Sequence, residues 1–243
     1  MKIIVSDFDG TLFDEEFEAN ISAIKRFTDA GNVFIIATGR AMNSLAEDIS
    51  MTDIDCEYYI CNDGAVIFDK YFNVIFRKDL NPDVVRPIFN MLQDDENILE
   101  TFIDTSHGYV SDSSANANGI IARPYDKTKA TITLGTIVRR FPEVHGYIST
   151  NWINIIDHSL NKSKAIQFLI DSYRYNKSDI ITVGDGLNDY DMIKDYNGYT
   201  LVSGHEDIKA ISKGVVSNLS ELIDILDHIE KEKEYAEIFA DEM

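Results

Sequence analysis

The sequence predicts an α/β fold, a doubly wound parallel sheet interrupted by a smaller α+β module. Two observations carry this expectation. Short, nearly continuous apolar runs alternate with segments of helical period at both ends of the chain, the pattern of strands buried on both faces and covered by helices. Between about residue 81 and residue 159 that alternation gives way to shorter segments and a polar loop. At 243 residues the chain is long for one compact domain and short for two full-sized ones, which suits one core plus a smaller module.

The elements follow in order. Residues 2–6 form a β-branched apolar run, a buried strand. Ile21, Ile24 and Phe27 recur at helical spacing, and Gly31 stands where a helix ends. A second buried run covers 33–36, a helix Met42–Ile49, and a third run Tyr58–Cys61 leads through Gly64 to a hairpin-like pair at 66–68 and 74–76. Asn81-Pro82-Asp83 reads as an N-cap, a proline in the first turn and an acidic start, opening a helix that presents Val85, Ile88, Phe89 and Leu92. Strand segments at 98–103 and 108–111, a polar loop at 113–118, a helix at 135–140 and strands at 147–149 and 152–156 complete the module. Beyond it come a helix carrying Ile166, Leu169 and Ile170, a strand Ile180–Val183, a helix around Met192 and an amphipathic C-terminal helix with Leu219, Leu222, Leu226 and Ile229. The expected division is therefore residues 1–80 and 160–243 for the core and 81–159 for the insert.

Composition narrows the function classes. The formal net charge of −20 opposes nucleic acid and anionic membrane surfaces as partners. No stretch approaches the roughly 20 apolar residues of a membrane span, and the N-terminus opens on a strand rather than a leader pattern. Cys56 and Cys61 have no metal-ligand partners at a recognisable spacing and read as reduced. A cytoplasmic protein, monomeric or weakly homo-oligomeric, is expected. If it handles phosphate esters, such an acidic chain needs strong local positive charge, which a divalent cation and a placed lysine would supply.

Four segments carry chemistry. Asp7-Phe8-Asp9-Gly10-Thr11 ends the first strand, and ligands of open α/β sheets bind beyond the carboxyl ends of strands. Carboxylates at i and i+2 repel when both are ionised; a divalent cation relieves this, and oxygen ligands suit Mg2+. A calcium loop also starts Asp-x-Asp, but it requires glycine at its sixth position, where Leu12 stands, and it follows a helix. The remaining alternative is a plain turn with aspartates as turn formers. Thr38-Gly39-Arg40, ending the second strand, can hold a phosphate oxygen or simply cap a helix. Lys162 starts a helix beside Lys164, and either could be a solvated surface charge. Gly184-Asp185-Gly186-Leu187-Asn188-Asp189 ends another buried strand and suits metal ligation, or an acidic turn.

Taken together, these segments resemble the haloacid dehalogenase superfamily, and more closely its Cof-type phosphatases, whose Rossmann-like core carries a cap between the second and third motifs. The resemblance spans nearly the whole chain in motif order. Thr11 and Thr38 lie 27 positions apart, room for one helix, whereas Thr38 and Lys162 lie 124 apart, room for a cap. Lys162 precedes Asp185 by 23 positions, the separation usual in that family, which favours it over Lys164. The resemblance implies that Asp7 attacks phosphorus and carries an aspartyl-phosphate, while Asp9 protonates the leaving oxygen and later activates water. It further implies that Asp7, the backbone carbonyl of Asp9, and Asp185 hold Mg2+ with support from Asp189, and that Thr38, Gly39 and Lys162 bind the phosphoryl oxygens with Asn188 orienting. Two departures stand out. Asp63-Gly64-Ala65 replaces the family's Asn-Gly-Ala after the third strand, so Asp63, with Arg40, is a candidate for substrate contact. Val202-Ser203-Gly204-His205 replaces a small, apolar stretch; His205 reads as an exposed loop residue. The expected activity is hydrolysis of a small phosphorylated metabolite, a sugar phosphate or phosphorylated cofactor. A phosphohexose mutase uses the same core, and a non-catalytic metabolite sensor is the third reading, which intact Asp7, Asp9, Lys162 and Asp185 oppose.

Overall fold

The computed structural model describes residues 1–149 and 151–241, with side chains described as far as residue 232. The chain divides into two units, one of Met1–Ile36, Thr52–Glu57 and Asn176–Met243, the other of Ala37–Met51 and Tyr58–Tyr175.

The first unit is built on parallel strands in the order Gly214–Val216, Asn197–Leu201, Ile180–Val183, Ile3–Ser6, Val33–Ala37. Every residue of Ile3–Ser6 and Ile180–Val183 is buried, as the unbroken apolar runs require. The chain leaves Ile3–Ser6 through helix Phe17–Asp29 toward Val33–Ala37, and leaves Ile180–Val183 through helix Tyr190–Asp195 in the opposite direction, toward Asn197–Leu201. Right-handed crossovers running in opposite directions place these helices on opposite faces of the sheet. The two central strands therefore flank a topological switch point, and a crevice opens where both end.

Helix Phe17–Asp29 packs against Leu219–Asp241, burying Ala23, Ile24 and Phe27, and Gly31, at φ 82°, turns the chain out of it. Asn20 lies fully buried on the same face. Its amide donates to Leu12 O (3.0 Å) and Asp14 Oδ1 (3.1 Å). Its Oδ1 accepts from Ser220 N (3.0 Å) at the start of the C-terminal helix. One side chain thus ties the loop after Asp7 to two helices.

The second unit holds helix Met42–Ile49, a three-stranded antiparallel ladder of Tyr58–Cys61, Val66–Asp69 and Val74–Arg77, and a five-stranded antiparallel sheet. The latter runs in the order Gly108–Val110, Ile98–Thr105, Gly119–Pro124, Ile153–Asp157, Val144–Ile148. Helix Pro82–Gln93 begins under Asn81, whose side chain accepts from Asp83 N. It packs on the sheet with helix Lys127–Arg140, over a core that includes Ile88, Leu92, Ile103, Ile120, Ile137 and Ile155. Helix Lys162–Tyr173 completes the unit.

Strand Gly119–Pro124, at the centre of the five-stranded sheet, was not among the expected elements, and neither were Asn197–Leu201, Gly214–Val216 and the short helix Glu206–Lys209. The helix expected at 135–140 begins at Lys127, capped by Asp126, whose carboxylate accepts from Thr128 N and Lys129 N. Its first half escaped the pattern because only Ala130 and Ile137 are buried, leaving almost no apolar stripe. Among the described residues no helix is long and apolar enough to cross a membrane.

Because Asn20 closes three hydrogen bonds in a buried position, Asn20→Ala strands their partners. Urea denaturation should show a loss of about 2–4 kcal/mol, from two or more buried partners at roughly 1–3 kcal/mol each. A loss below about 1 kcal/mol would mean the tie is not structural.

Candidate functional site

The site of the first unit is assembled at the switch point. Strand Ile3–Ser6 ends one residue before Asp7, but the Asp7 amide still donates to Val183 O (2.9 Å), so the ladder fixes the Asp7 backbone. The chain then folds back sharply: the amides of Thr11, Leu12 and Phe13 converge on Phe8 O at 3.4, 3.1 and 2.7 Å. Phe8, fully buried, stacks on Phe13 at 5.3 Å, and Phe13 meets Phe17 edge-on at 4.9 Å. This apolar clamp beneath the turn leaves Asp7 nearly buried and Asp9 exposed. Gly10, at φ 80°, allows the reversal, and a Cβ there would stand 2.8 Å from Asp185 Oδ2.

The neighbouring strand Ile180–Val183 delivers the other acids. A Cβ on Gly184 would come within 2.5 Å of the Asp189 carboxyl carbon, so only glycine lets Asp189 fold under it. Asp189 is fully buried, and its Oδ2 accepts from Gly186 N (2.9 Å). Thr11 Oγ1 donates to Asp185 Oδ1 (2.9 Å), while Asp185 O accepts from His205 N (2.9 Å) and Gly184 O from Thr200 Oγ1 (2.8 Å). One oxygen each from Asp7, Asp185 and Asp189 lies within 4.8 Å of the others. An all-carboxylate donor set of this size fits a hard divalent cation such as Mg2+. The Asp9 carboxylate is not in this group. Asn188 lies beside it in the turn Leu187–Asp189, half-buried.

In the second unit Thr38 is buried at the end of strand Val33–Ala37, with its Oγ1 accepting from Arg40 N (3.1 Å) and its O from Asp63 N (3.0 Å). Gly39 adjoins Asp63, whose carboxylate oxygens would lie 3.2 and 3.3 Å from a Cβ there. Arg40 pairs with Asp48, near the end of helix Met42–Ile49. Asn62 and Asp63 both adopt left-handed backbone, at φ 52° and 50°, a conformation that Asn and Asp tolerate better than most residues. The Tyr147 hydroxyl donates to Asp63 Oδ2. Lys162 is fully buried at the start of its helix, capped by Asn161, which accepts from Lys164 N (2.8 Å), while Lys164 is exposed.

The His205 ring does not turn to the acids. It is half-exposed, and its Nδ1 accepts from Asp207 N (3.2 Å), capping helix Glu206–Lys209. Asp104, on strand Ile98–Thr105, is buried among the polar groups of the second unit. Desolvation raises its carboxyl well above the usual range, Asn62 pulls it back, and Asp63 pushes it further up. Desolvation and then the Asp104 charge push the Tyr109 phenol up to about 12, against the Ala41 amide and Arg40. Sequence reasoning assigned no role to Thr11, Asn62, Asp104, Tyr109 or Tyr147. Thr11 stood inside a recognised motif, but the other four carried no local signal.

The family model for haloacid dehalogenase-like hydrolases matches residues 4–141 and 137–222. A curated relative from Bacillus subtilis, a 5-amino-6-(5-phospho-D-ribitylamino)uracil phosphatase, is 23% identical over 218 residues, 80% of this chain and 81% of that one. A phosphatase of the HAD superfamily from Bacteroides thetaiotaomicron superposes with a TM-score of 0.78 at 19% identity, covering 94% of each chain. A HAD subclass IIB sugar phosphatase superposes at 0.77 with 18% identity, covering 95% of this chain and 99% of that one. With the switch-point acids in motif order and the family match running through most of its length, the chain belongs to the haloacid dehalogenase-like hydrolases.

Proposed function

We propose that the chain is a Mg2+-dependent cytoplasmic phosphatase that hydrolyses a small phosphorylated metabolite, a sugar phosphate or phosphorylated cofactor, through an aspartyl-phosphate on Asp7. The observation that carries this reading is the convergence of Asp7, Asp185 and Asp189 at the switch point, with Thr11 pinning Asp185. Relatives named as phosphatases support the reaction class, and the buried Cys56 and Cys61, which form no disulfide, support a reducing compartment. Residues 81–159 are the proposed cap and residues 1–80 and 160–243 the proposed core.

Carboxylates of Asp7, Asp185 and Asp189, with the Asp9 carbonyl, would hold Mg2+, which when bound neutralises them and polarises the phosphoryl oxygens. Asp7 contributes the nucleophile: its carboxylate oxygen forms a bond to phosphorus as the ester P–O bond breaks. Asp9, exposed at the tip of the turn, gives its proton to the leaving oxygen, which departs as an alcohol. Asp9 then takes a proton from the water that attacks phosphorus, and the P–O bond to Asp7 breaks to release inorganic phosphate and restore both acids. Thr38, through its hydroxyl, Gly39, through its amide, and Lys162, through its ammonium, are proposed to bind the phosphoryl oxygens. The burial of Thr38 and Lys162 suits charge stabilisation away from bulk water. Asn188 is proposed to orient the phosphoryl group beside Asp189, and Arg40 and Asp63 to contact the leaving portion.

Inorganic phosphate release from a panel of phosphorylated metabolites with Mg2+ tests the reading; a mutase would interconvert esters and release little. In that assay Asp7→Asn should lower kcat at least about 10^3-fold, because an amide is no nucleophile. Turnover near wild type, with deamidation excluded by mass, would refute the role of Asp7.

Thr11→Val preserves shape but removes the donor to Asp185. The Mg2+ concentration for half-maximal activity should rise about 10–100-fold, with a smaller change in kcat at saturating metal. An unshifted Mg2+ titration would show that Thr11 does not support the metal site.

A further inference from the structure

Strand Val144–Ile148 lies at the edge of the five-stranded sheet, beside Ile153–Asp157. Strand alternation turns Val144 and Ile148 toward the core under the helices and His145 and Tyr147 to the other face. His145 Nε2 lies 3.0 Å from Leu160 O, which anchors the strand on that side, and the Tyr147 hydroxyl donates to Asp63 Oδ2. The same hydroxyl would stand 2.8 Å from a Cβ at Gly39. The side chain that Gly39 lacks therefore leaves the room in which hydroxyl and carboxylate meet. Backbone bonds hold the two loops together beneath this contact: Asp63 N donates to Thr38 O and Asn62 N to Arg40 O, each at 3.0 Å. The left-handed backbone of Asp63 does not account for its carboxylate, because Asn, the residue of the family motif, tolerates that conformation as well. An acid thus lies against the glycine whose amide is proposed for a phosphoryl oxygen, and like charges resist that proximity.

We propose that Tyr147 is a positioning residue for phosphate binding, acting through Asp63. Its hydroxyl holds the carboxylate and takes up part of the charge that would otherwise repel phosphate at Gly39. The inference rests on the phosphatase reading and adds to it a residue from outside its four motifs. A hydrogen bond to an ionised acceptor is roughly twice as strong as a neutral one, so Tyr147 has a large effect on a carboxylate and a small one on an amide. An amide at position 63 would also carry no charge to repel phosphate. Tyr147 therefore matters to phosphate binding only while position 63 is acidic. A tie that merely kept the sheet edge in place would serve Asp and Asn at that position equally.

The test measures inorganic phosphate as a competitive inhibitor of p-nitrophenyl phosphate turnover with Mg2+, in wild type, Tyr147→Phe, Asp63→Asn and the double variant. Tyr147→Phe keeps the ring and removes only the hydroxyl, and thermal melting of all four proteins verifies that each is folded. The inhibition constant should rise about 10-fold on Tyr147→Phe when position 63 is Asp, and less than about 2-fold when it is Asn, each measured against its own parent. Factors that agree between the two backgrounds within about 2-fold, no change in either included, overturn the proposal. If wild type does not hydrolyse the aryl ester, the phosphatase reading falls, and calorimetric binding of inorganic phosphate with Mg2+ to the same four proteins decides this one. The same dependence on position 63 supports it, and equal losses or absent binding overturn it.

Discussion

Three carboxylates whose oxygens lie within 4.8 Å of one another impose the constraint to which the rest of the first unit answers. Like charges at that separation resist being brought together unless fixed donors and a cation offset them. The fold supplies a side-chain donor, a backbone donor and a fixed strand position. The ladder bond from Asp7 to Val183 sets one acid against the neighbouring strand, Thr11 reaches across from the turn to Asp185, and Gly186 caps Asp189. Two glycines make the approach sterically possible, Gly10 over Asp185 and Gly184 over Asp189. Behind the turn, Phe8, Phe13 and Phe17 pack as an apolar clamp, and Asn20 ties the loop to the C-terminal helix. Exposure then divides the two acids of the first motif. Asp7 is nearly buried, which suits the nucleophile proposed there, while Asp9 stands exposed, which suits the proton exchange proposed for it.

The second unit manages acid in a different way. Asp63 sits in a left-handed turn and receives the Tyr147 hydroxyl, so part of its charge is met by a neutral donor. Asp104 is met by less, and desolvation raises its carboxyl.

Much of this was legible in the sequence because it is written locally. Buried parallel strands announce themselves as unbroken apolar runs, and Met42–Ile49, Tyr58–Cys61 and Ile180–Val183 stand where their patterns put them. The acids of the first unit follow strand ends, so motif and position coincide. Elements held together by tertiary contact were harder to read. Gly119–Pro124 is the central strand of its sheet, yet its six residues include Gly119, Arg123 and Pro124 and lie just after a polar loop. Helix Lys127–Arg140 buries too little to show a stripe. Asp104 and Asn62 are 42 positions apart, and each alone is an ordinary polar residue; only the folded chain brings the two side chains together.

The central claim is that phosphorus passes through Asp7, and rapid-quench labelling reaches it most directly. With p-nitrophenyl [32P]phosphate and Mg2+, quenching within the first turnover should leave label on the protein that survives acid, is released by hydroxylamine, and maps to the peptide containing Asp7. Release of labelled phosphate with no labelled protein at any quench time, or label confined to another peptide, would contradict the account.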